Sequence, residues 1–132
     1  MAFNFPDDLK YTTEHEWVRM ISDNEAYIGI TDFAQSELGD LVYIEVETVG
    51  ETLGKDEVFG TVEAVKTTSD LFLPVSGEIL EFNEELDETK GDNATLVNKS
   101  PYDKGWIVRI RIESPEELDE LLSVEEYKNL VG

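Results

Sequence analysis

One lysine stands where a hairpin is predicted to turn, and it is the residue best placed to do chemistry. A two-residue loop formed by Val65 and Lys66 brings the flanking runs into register. The pairs that this register predicts are Ala64 with Thr67, Glu63 with Thr68, Val62 with Ser69, Phe59 with Phe72 and Val58 with Leu73. Aromatic and aliphatic cross-strand pairs each add roughly 0.2–1 kcal/mol. The register is therefore supported by its own side chains.

The loop itself breaks a local rule. Two-residue hairpins prefer Asn-Gly or Asp-Gly because their turns need positive φ, and a β-branched Val65 is a poor choice there. Such rules are most often broken at functional or strained sites. No other basic residue lies between Lys55 and Lys90, so Lys66 is an isolated amine. We expect it to be either a handle for an enzyme that modifies lysine or a solubilising charge.

The other reactive residue types exclude most catalytic arrangements. The chain has no cysteine and a single histidine, His15, without a recognisable Ser-His-Asp or Cys-His partner motif. We predict that His15 is partly buried and fixes the N-terminal segment against Trp17. The acidic stretch Glu81–Asp92 lacks the spacing of a calcium loop. We therefore expect no catalytic residue and no metal site.

The composition narrows the range of partners. Lys and Arg number 10 against 31 Asp and Glu, for a formal net charge of −21 over 132 residues. Nucleic acids and anionic membranes both attract clustered Lys and Arg, so neither is an expected partner. No apolar run approaches the roughly 20 residues of a membrane span. A cytoplasmic protein is the simplest expectation, with a processed mitochondrial matrix form as the alternative.

Short strands at close spacing must position the hairpin. The predicted strands span residues 26–30, 41–46, 57–64, 67–73, 78–82 and 106–112. Their alternation predicts inward faces at Val42, Ile44 and Val46, at Val58, Gly60, Val62 and Ala64, and at Trp106, Val108, Ile110 and Ile112. Residues 50–54, 74–77 and 83–95 are predicted turns or loops, and we expect a positive φ at Gly77.

Helices are predicted in two parts of the chain. Residues 32–38 form a short helix with Thr31 or Asp32 as its N-cap. Two more are expected in the tail, where Ser114–Glu117 and Ser123–Glu126 have capping-box spacing.

The domain organisation follows from these elements. We see no second core and no linker, so we predict a single domain over residues 1–132, with its core at about 9–112 and a helical tail at 114–132. The pattern favours a small β-sandwich or barrel with helical appendages.

Beyond these local patterns, the residues around Lys66 resemble a lipoyl-lysine motif. The segments that carry this resemblance are GTVEAVKTTSD (60–70) and PVSGEI (74–79). Biotinyl domains are similar, but they normally have Met on both sides of the lysine, where this chain has Val65 and Thr67. The wider chain resembles the glycine cleavage H-protein family in YTTEHEWV (11–18), IGITDFAQ (28–35), LGDLV (38–42), LVN (96–98), SPY (100–102) and GW (105–106). The resemblance covers about residues 9–132.

This resemblance implies a carrier fold and a covalent cofactor. The implied fold is mainly β, a flattened β-barrel–sandwich hybrid with a short internal helix and a C-terminal helical tail. Lipoate is implied in amide linkage on Lys66, with Glu63, Val65 and Gly77 as supporting residues of the motif. The implied role is that of a carrier and not of an enzyme. A chain without cysteine fits this role, since the disulfide chemistry belongs to the cofactor.

The family's cycle supplies the expected partners. Its lipoyl arm takes an aminomethyl group from a pyridoxal-phosphate glycine decarboxylase and presents it to a tetrahydrofolate-dependent aminomethyltransferase. Dihydrolipoamide dehydrogenase then reoxidises the arm. A lipoylation enzyme is a fourth expected partner, and we expect a monomer.

The resemblance also implies a surface cleft that shelters the loaded arm. The ammonium group of the loaded arm needs a carboxylate as its ion-pair partner, and the candidates are Glu16, Asp70 and Glu37. Relatives commonly have His at the position of Glu37, so this residue departs from the family pattern.

Two alternatives stay open at this point. One is a lipoyl protein that serves a different complex or passes its lipoyl group to other proteins. The other is an acidic interaction module with an unmodified Lys66. The mass of the intact protein separates the lipoylated forms from the unmodified module.

Overall fold

A computed structural model describes residues 3–87 and 89–131 of the chain. Met1 and Ala2 of the N-terminal segment, Glu88 of the acidic loop and Gly132 of the tail lie outside the described residues. Two antiparallel sheets share the main hydrophobic core and are not closed into a barrel. The mainly β prediction, with a short internal helix and a helical tail, is confirmed.

The strands divide unequally between the two sheets. In chain order they are β1 (Lys10–Tyr11), β2 (Glu16–Met20), β3 (Glu25–Ile30), β4 (Leu41–Glu45), β5 (Thr52–Leu53), β6 (Val58–Ala64), β7 (Thr68–Phe72), β8 (Gly77–Phe82) and β9 (Val108–Ile112). The larger sheet has the order β1-β2-β3-β9-β8-β5, and the smaller sheet has the order β4-β6-β7. The predicted hairpin therefore forms most of the smaller sheet.

Four helical segments complete the described chain: α1 (Asp32–Leu38), α2 (Leu96–Lys99), a 3-10 helix (Pro115–Glu120) and α3 (Val124–Val131). The N-cap of α1 is Thr31, whose Oγ1 accepts a hydrogen bond of 3.1 Å from the backbone N–H of Ala34. The helix α2 was not predicted. None of the helices in the described ranges has the length and apolar character needed to cross a membrane.

The two predicted capping boxes have different outcomes. Ser123 and Glu126 bond each other's backbone N–H at 3.2 and 2.9 Å, as predicted. Ser114 makes no cap bond, and the predicted capping box there is wrong. Glu117 instead accepts hydrogen bonds from the backbone N–H and the hydroxyl of Ser76, at 2.6 and 3.0 Å. Two donors in a distant turn thus replace one local donor, and they tie the tail to the turn before β8.

A bulge in β6 corrects the outer part of the predicted hairpin register. Near the tip, the pairs that match the prediction are Glu63 with Thr68 and Val62 with Ser69. The register then shifts between Val58 and Gly60, so that Phe59 is buried while Val58 is exposed and lies opposite Phe72. The extra residue of a bulge inverts the alternation beyond it. The predicted pairs of Phe59 with Phe72 and Val58 with Leu73, and the inward face of Val58, are therefore wrong.

A second irregularity moves one predicted core residue to the surface. The register of β4 against β6 shifts between Leu41 and Tyr43. Leu41 and Ile44 are buried as a result, whereas Val42 is 49% exposed. The predicted inward position of Val42 is wrong, because the shift interrupts the alternation before Ile44.

An aromatic cluster that was not predicted lies beside the main core. Its buried members are Leu9, Tyr11, Trp17, Tyr102 and Tyr127. Trp106 precedes β9 and packs half-buried against this cluster, so it does not share the inward face of Val108, Ile110 and Ile112. The cluster joins the first strands to α3, which brings both ends of the chain together.

Candidate functional site

Lys66 lies exposed at the tip of the hairpin, as predicted. The backbone N–H of Ala64 donates to the Thr67 carbonyl at 2.7 Å and closes the two-residue loop. Neither Val65 nor Lys66 has a positive φ, so this tip does not use the conformation that favours Asn-Gly. The N–H of Val65 donates to the Asp40 carbonyl at 3.2 Å instead. A long-range bond thus stabilises a loop that is unfavourable by local rules.

The end of α1 lies beside the lysine side chain. Gly39 ends the helix with a φ of +84°, a conformation that favours glycine. A Cβ added at Gly39 would lie 3.5 Å from Lys66 Cε and 4.0 Å from its Nζ. The side chain of Lys66 therefore lies over this glycine, next to the helix that forms one wall of a cleft.

The cleft has a volume of about 380 Å³. Its apolar lining comes from Ile30, Phe33, Ala34, Leu38, Val62 and Leu71, and its polar lining from Glu14, His15, Glu16, Glu37, Ser69 and Asp70. The three acids predicted from the resemblance, Glu16, Asp70 and Glu37, thus line one cavity. Sequence reasoning missed Glu14 and did not place His15 here, although both directly precede Glu16.

Glu16 is the buried carboxyl of this cleft, with only 2% of its surface exposed. Its Oε1 accepts from the Thr12 hydroxyl and its Oε2 from the backbone N–H of Phe72, both at 3.1 Å. Burial raises the pKa of Glu16 to about 8, although both hydrogen bonds favour the ionised form. Because Glu16 belongs to β2 and Phe72 to β7, this side chain also links the two sheets.

His15 stands beside Glu16 and has a positive φ of 71°. Its Nδ1 lies 2.8 Å from the Tyr127 hydroxyl, and its ring centroid lies 5.0 Å from that of Phe33. Burial lowers the pKa of His15 below its ordinary value, against the opposing effect of Glu14 and Glu37. His15 is partly buried as predicted, but its aromatic partners are Phe33 and Tyr127 in place of the predicted Trp17.

The electrostatics of the cleft favour a cationic occupant. Within residues 3–87 and 89–131, no ion pair reaches any of its four acids, and no cluster of potential metal ligands occurs. A long apolar group that ends in an amine matches both the apolar wall and the acids. A lipoyl arm on Lys66 that carries an amine has this character, so the residues present fit the cofactor.

The three supporting residues of the motif lie in different places. Glu63 is exposed on β6 near the tip, and Val65 is 78% exposed in the loop beside Lys66. Gly77 begins β8 in the larger sheet and has no positive φ, so that prediction is wrong. The reason for glycine there is a close backbone approach, since an added Cβ would lie 2.5 Å from the carbonyl oxygen of Arg111.

Comparisons with known proteins all indicate the same family. The family model described as "Glycine cleavage H-protein" matches residues 9–132. A glycine cleavage system H protein of Bacteroides thetaiotaomicron is 54% identical over 129 residues, and one of Chlorobium phaeobacteroides is 53% identical over 129 residues. Each of these alignments covers 98% of both chains. The crystal structure of a glycine cleavage system H protein from Mycobacterium marinum is similar with a TM-score of 0.85 at 35% identity, covering 97% of this chain and 99% of that one.

Proposed function

Since the chain belongs to the glycine cleavage H-protein family, we propose that Lys66 carries lipoate in amide linkage and that the acidic cleft receives the end of this arm. Members of the family are lipoyl carriers within the glycine cleavage system and not enzymes in themselves. The observation that supports the proposal most directly is the exposed amine of Lys66 beside a cleft with four acids and no paired cation among the described residues.

The position of Lys66 suits attachment of a mobile arm. The loop is held by bonds to its neighbours, whereas the amine itself is exposed to solvent. No other Lys or Arg lies between residues 56 and 89, so Lys66 is the one amine of this part of the sequence. An arm fixed at one end raises the effective concentration of its other end at each site within reach.

The residues of the cleft supply shelter and charge. When bound, lipoate supplies a disulfide that can accept an aminomethyl group. The apolar wall covers the hydrocarbon part of the arm and excludes water. The carboxyl of Glu16, with its pKa near 8, is largely neutral at pH 7 and becomes ionised when an ammonium group supplies the missing counter-charge. Asp70 and Glu37 stand at the same cavity as further carboxylates.

The proposal extends to the partners of the arm. They are the pyridoxal-phosphate glycine decarboxylase, the tetrahydrofolate-dependent aminomethyltransferase, dihydrolipoamide dehydrogenase and a lipoylation enzyme. A monomer with a single domain, located in the cytoplasm, belongs to the same proposal, and the bacterial sources of the relatives support that location. Nothing supports the mitochondrial alternative.

Replacement of the lysine tests the proposal. Lys66→Arg keeps the charge but cannot form the lipoyl amide, so we expect loss of carrier activity to background after treatment with a lipoylation enzyme and assay with the three partner enzymes. The free energy of unfolding should stay within about 0.5 kcal/mol, because the side chain is exposed. Lys104→Arg, at another exposed lysine, should behave as the wild type. Full activity of Lys66→Arg would overturn the proposal.

A further inference from the structure

A buried hydroxyl from the C-terminal helix touches the wall of the cleft. Tyr127 of α3 is fully buried, and its hydroxyl lies 2.8 Å from Thr31 Oγ1 and 2.8 Å from His15 Nδ1. Its ring is stacked on Tyr11 at 4.8 Å, with Phe5 edge-on at 5.1 Å. The packing of the ring fixes the position of the hydroxyl, so the relation between Tyr127 and His15 is a rigid one.

The available hydrogens select one direction for this chain of bonds. The Thr31 hydroxyl already accepts from the backbone N–H of Ala34, and the Tyr127 oxygen, 2.8 Å away, is in place to accept its hydrogen. Tyr127 then donates its single hydrogen to His15 Nδ1. With a hydrogen on Nδ1, the Tyr127 oxygen accepts from His15, and one of the two hydroxyls, that of Thr31 or that of Tyr127, has no acceptor for its own hydrogen. Thr31 is fully buried, and an unsatisfied buried hydroxyl is costly.

We infer that Tyr127 is a positioning residue, which relays a hydrogen bond from Thr31 to His15 and holds the His15 ring neutral with its hydrogen on Nε2. The other ring nitrogen, Nε2, is then an N–H donor, and the ring carries no positive charge. The benefit of a neutral ring rests on the proposed function, because an imidazolium here would repel a cationic group at the end of the arm. The tautomer itself does not depend on lipoate.

The charges around His15 favour its protonation, which the relay must oppose. Glu14 and Glu37 both favour the protonated ring, and Glu16 and Asp70 line the same cavity. Glu14 and Glu37 would otherwise draw a proton onto His15 and so neutralise part of the charge that the cleft offers. Burial and the fixed direction of the relay oppose this effect.

Nitrogen NMR spectroscopy of the imidazole tests the inference on the unmodified protein. His15 is the only histidine of the chain, so its two ring nitrogens can be assigned without ambiguity. Tyr127→Phe removes the hydroxyl and keeps the ring. The matched control is Tyr11→Phe, which also removes a buried tyrosine hydroxyl, one that donates to the Pro6 carbonyl at 2.6 Å. Backbone amide spectra verify that both variants are folded.

We expect the wild type and Tyr11→Phe to hold the hydrogen on Nε2 above the pKa of His15. In Tyr127→Phe the fraction with the hydrogen on Nδ1 should rise by roughly two- to tenfold, the range that corresponds to the loss of one hydrogen bond. A wild type with its hydrogen on Nδ1, or equal tautomer ratios in the three proteins, would overturn the relay.

The role of the relay in carrying has a separate readout. With lipoylated protein, Tyr127→Phe should lower the rate at which the three partner enzymes cycle, and Tyr11→Phe should leave it unchanged. A shifted tautomer with an unchanged rate would overturn the positioning role, although the hydrogen bond exists. An inactive lipoylated wild type would instead refute the proposed function, and the tautomer spectra would still decide the relay.

Discussion

Acidic residues beside β9 form ion pairs with arginine, whereas the acidic residues of the cleft form none among the described residues. On β9, Arg109 bonds Glu25 at 2.8 Å and Glu81 at 2.9 Å, and Arg111 bonds Glu78 at 2.6 Å. In the cleft, no Lys or Arg of the described chain pairs with an acid. The arginines of β9 are matched by acids of the same sheet, whereas the acids of the cleft have no cationic partner among the described residues.

Burial distinguishes the cleft acids more clearly than the lack of a partner. Unpaired acids are inevitable in a chain with 31 acids and 10 bases. Most of them are solvated and need no partner, but Glu16 is 2% exposed. A carboxyl removed from water without a cation has a raised pKa, and this is the condition in which an arriving amine changes its ionisation.

The largest effect is expected at Glu16, in the dependence of stability on pH. Its folded pKa of about 8 lies above the ordinary value of 4.5, so the folded state holds a proton that the unfolded state releases. The stability from this group is complete below about pH 4.5 and is lost as pH rises through 8. Glu16→Gln stays neutral, so this loss disappears. Each pH unit by which the folded pKa exceeds the unfolded pKa contributes about 1.4 kcal/mol to the free energy of unfolding.

Urea unfolding at pH 5, 7 and 9 measures this difference. Glu37→Gln is the matched control, since Glu37 lines the same cleft but is exposed. We expect the profile of Glu16→Gln to diverge from that of the wild type and the profile of Glu37→Gln to follow it. Parallel profiles for all three proteins would mean that Glu16 is not the buried, neutral carboxyl described here.

The next largest effect is expected in the larger sheet, at Gly77. A Cβ there would meet the Arg111 carbonyl oxygen at 2.5 Å, and backbone cannot move away cheaply. Gly77→Val should therefore lower the free energy of unfolding by about 3 kcal/mol or more. Glu81→Gln, on the same strand, should lower it far less. The thermal midpoints of the two variants provide the measurement, and equal midpoints would contradict the close contact.

A smaller effect separates Gly39 from Gly50. Both have a positive φ, of 84° and 93°, so alanine at either position should cost about 1–2 kcal/mol. Only the methyl group at Gly39 would meet Lys66, since nothing lies within 4 Å of a Cβ at Gly50. We expect Gly39→Ala alone to slow attachment of lipoate by a few-fold. Equal lipoylation rates in the two variants would show that Gly39 serves only the backbone.

The smallest effect is expected where charges are already matched. Arg109 bonds Glu25 and Glu81, but all three side chains are partly exposed. Arg109→Met should therefore cost only about 0.5–1 kcal/mol, and less in 1 M salt than at low salt. Unfolding in urea at the two salt concentrations measures it. A loss of several kcal/mol that is insensitive to salt would mean that packing, and not charge pairing, holds this face.

Local patterns predicted the longer strands, α1 and the tip of the hairpin, but not β5 or α2. The pairing of Glu63 with Thr68 and the N-cap at Thr31 depend on residues close in sequence. The exposure of Val42 and Val58 could not be predicted in the same way. A bulge inserts one residue into a strand, and the alternation of polar and apolar residues does not show where this happens. Every side chain beyond the bulge changes face.

Contacts between distant segments explain the remaining misses in the site. The hydrogen bond from Ser76 to Glu117 joins residues 41 positions apart, and the bond between Tyr127 and His15 joins residues 112 positions apart. Local propensity contains no information on either. The resemblance to a family did point to Glu16, Asp70 and Glu37, but it did not indicate that Glu16 alone is buried.

The most direct test of the account is the mass of the intact protein after reaction with a lipoylation enzyme, followed by peptide mapping. We predict that the wild type gains the mass of one lipoyl group and that the modified peptide contains Lys66. Lys66→Arg should gain nothing, whereas Lys104→Arg should gain the same mass as the wild type. Modification of another lysine, or no gain in the wild type under conditions in which the enzyme modifies a known lipoyl domain, would contradict the assignment of Lys66 as the attachment site.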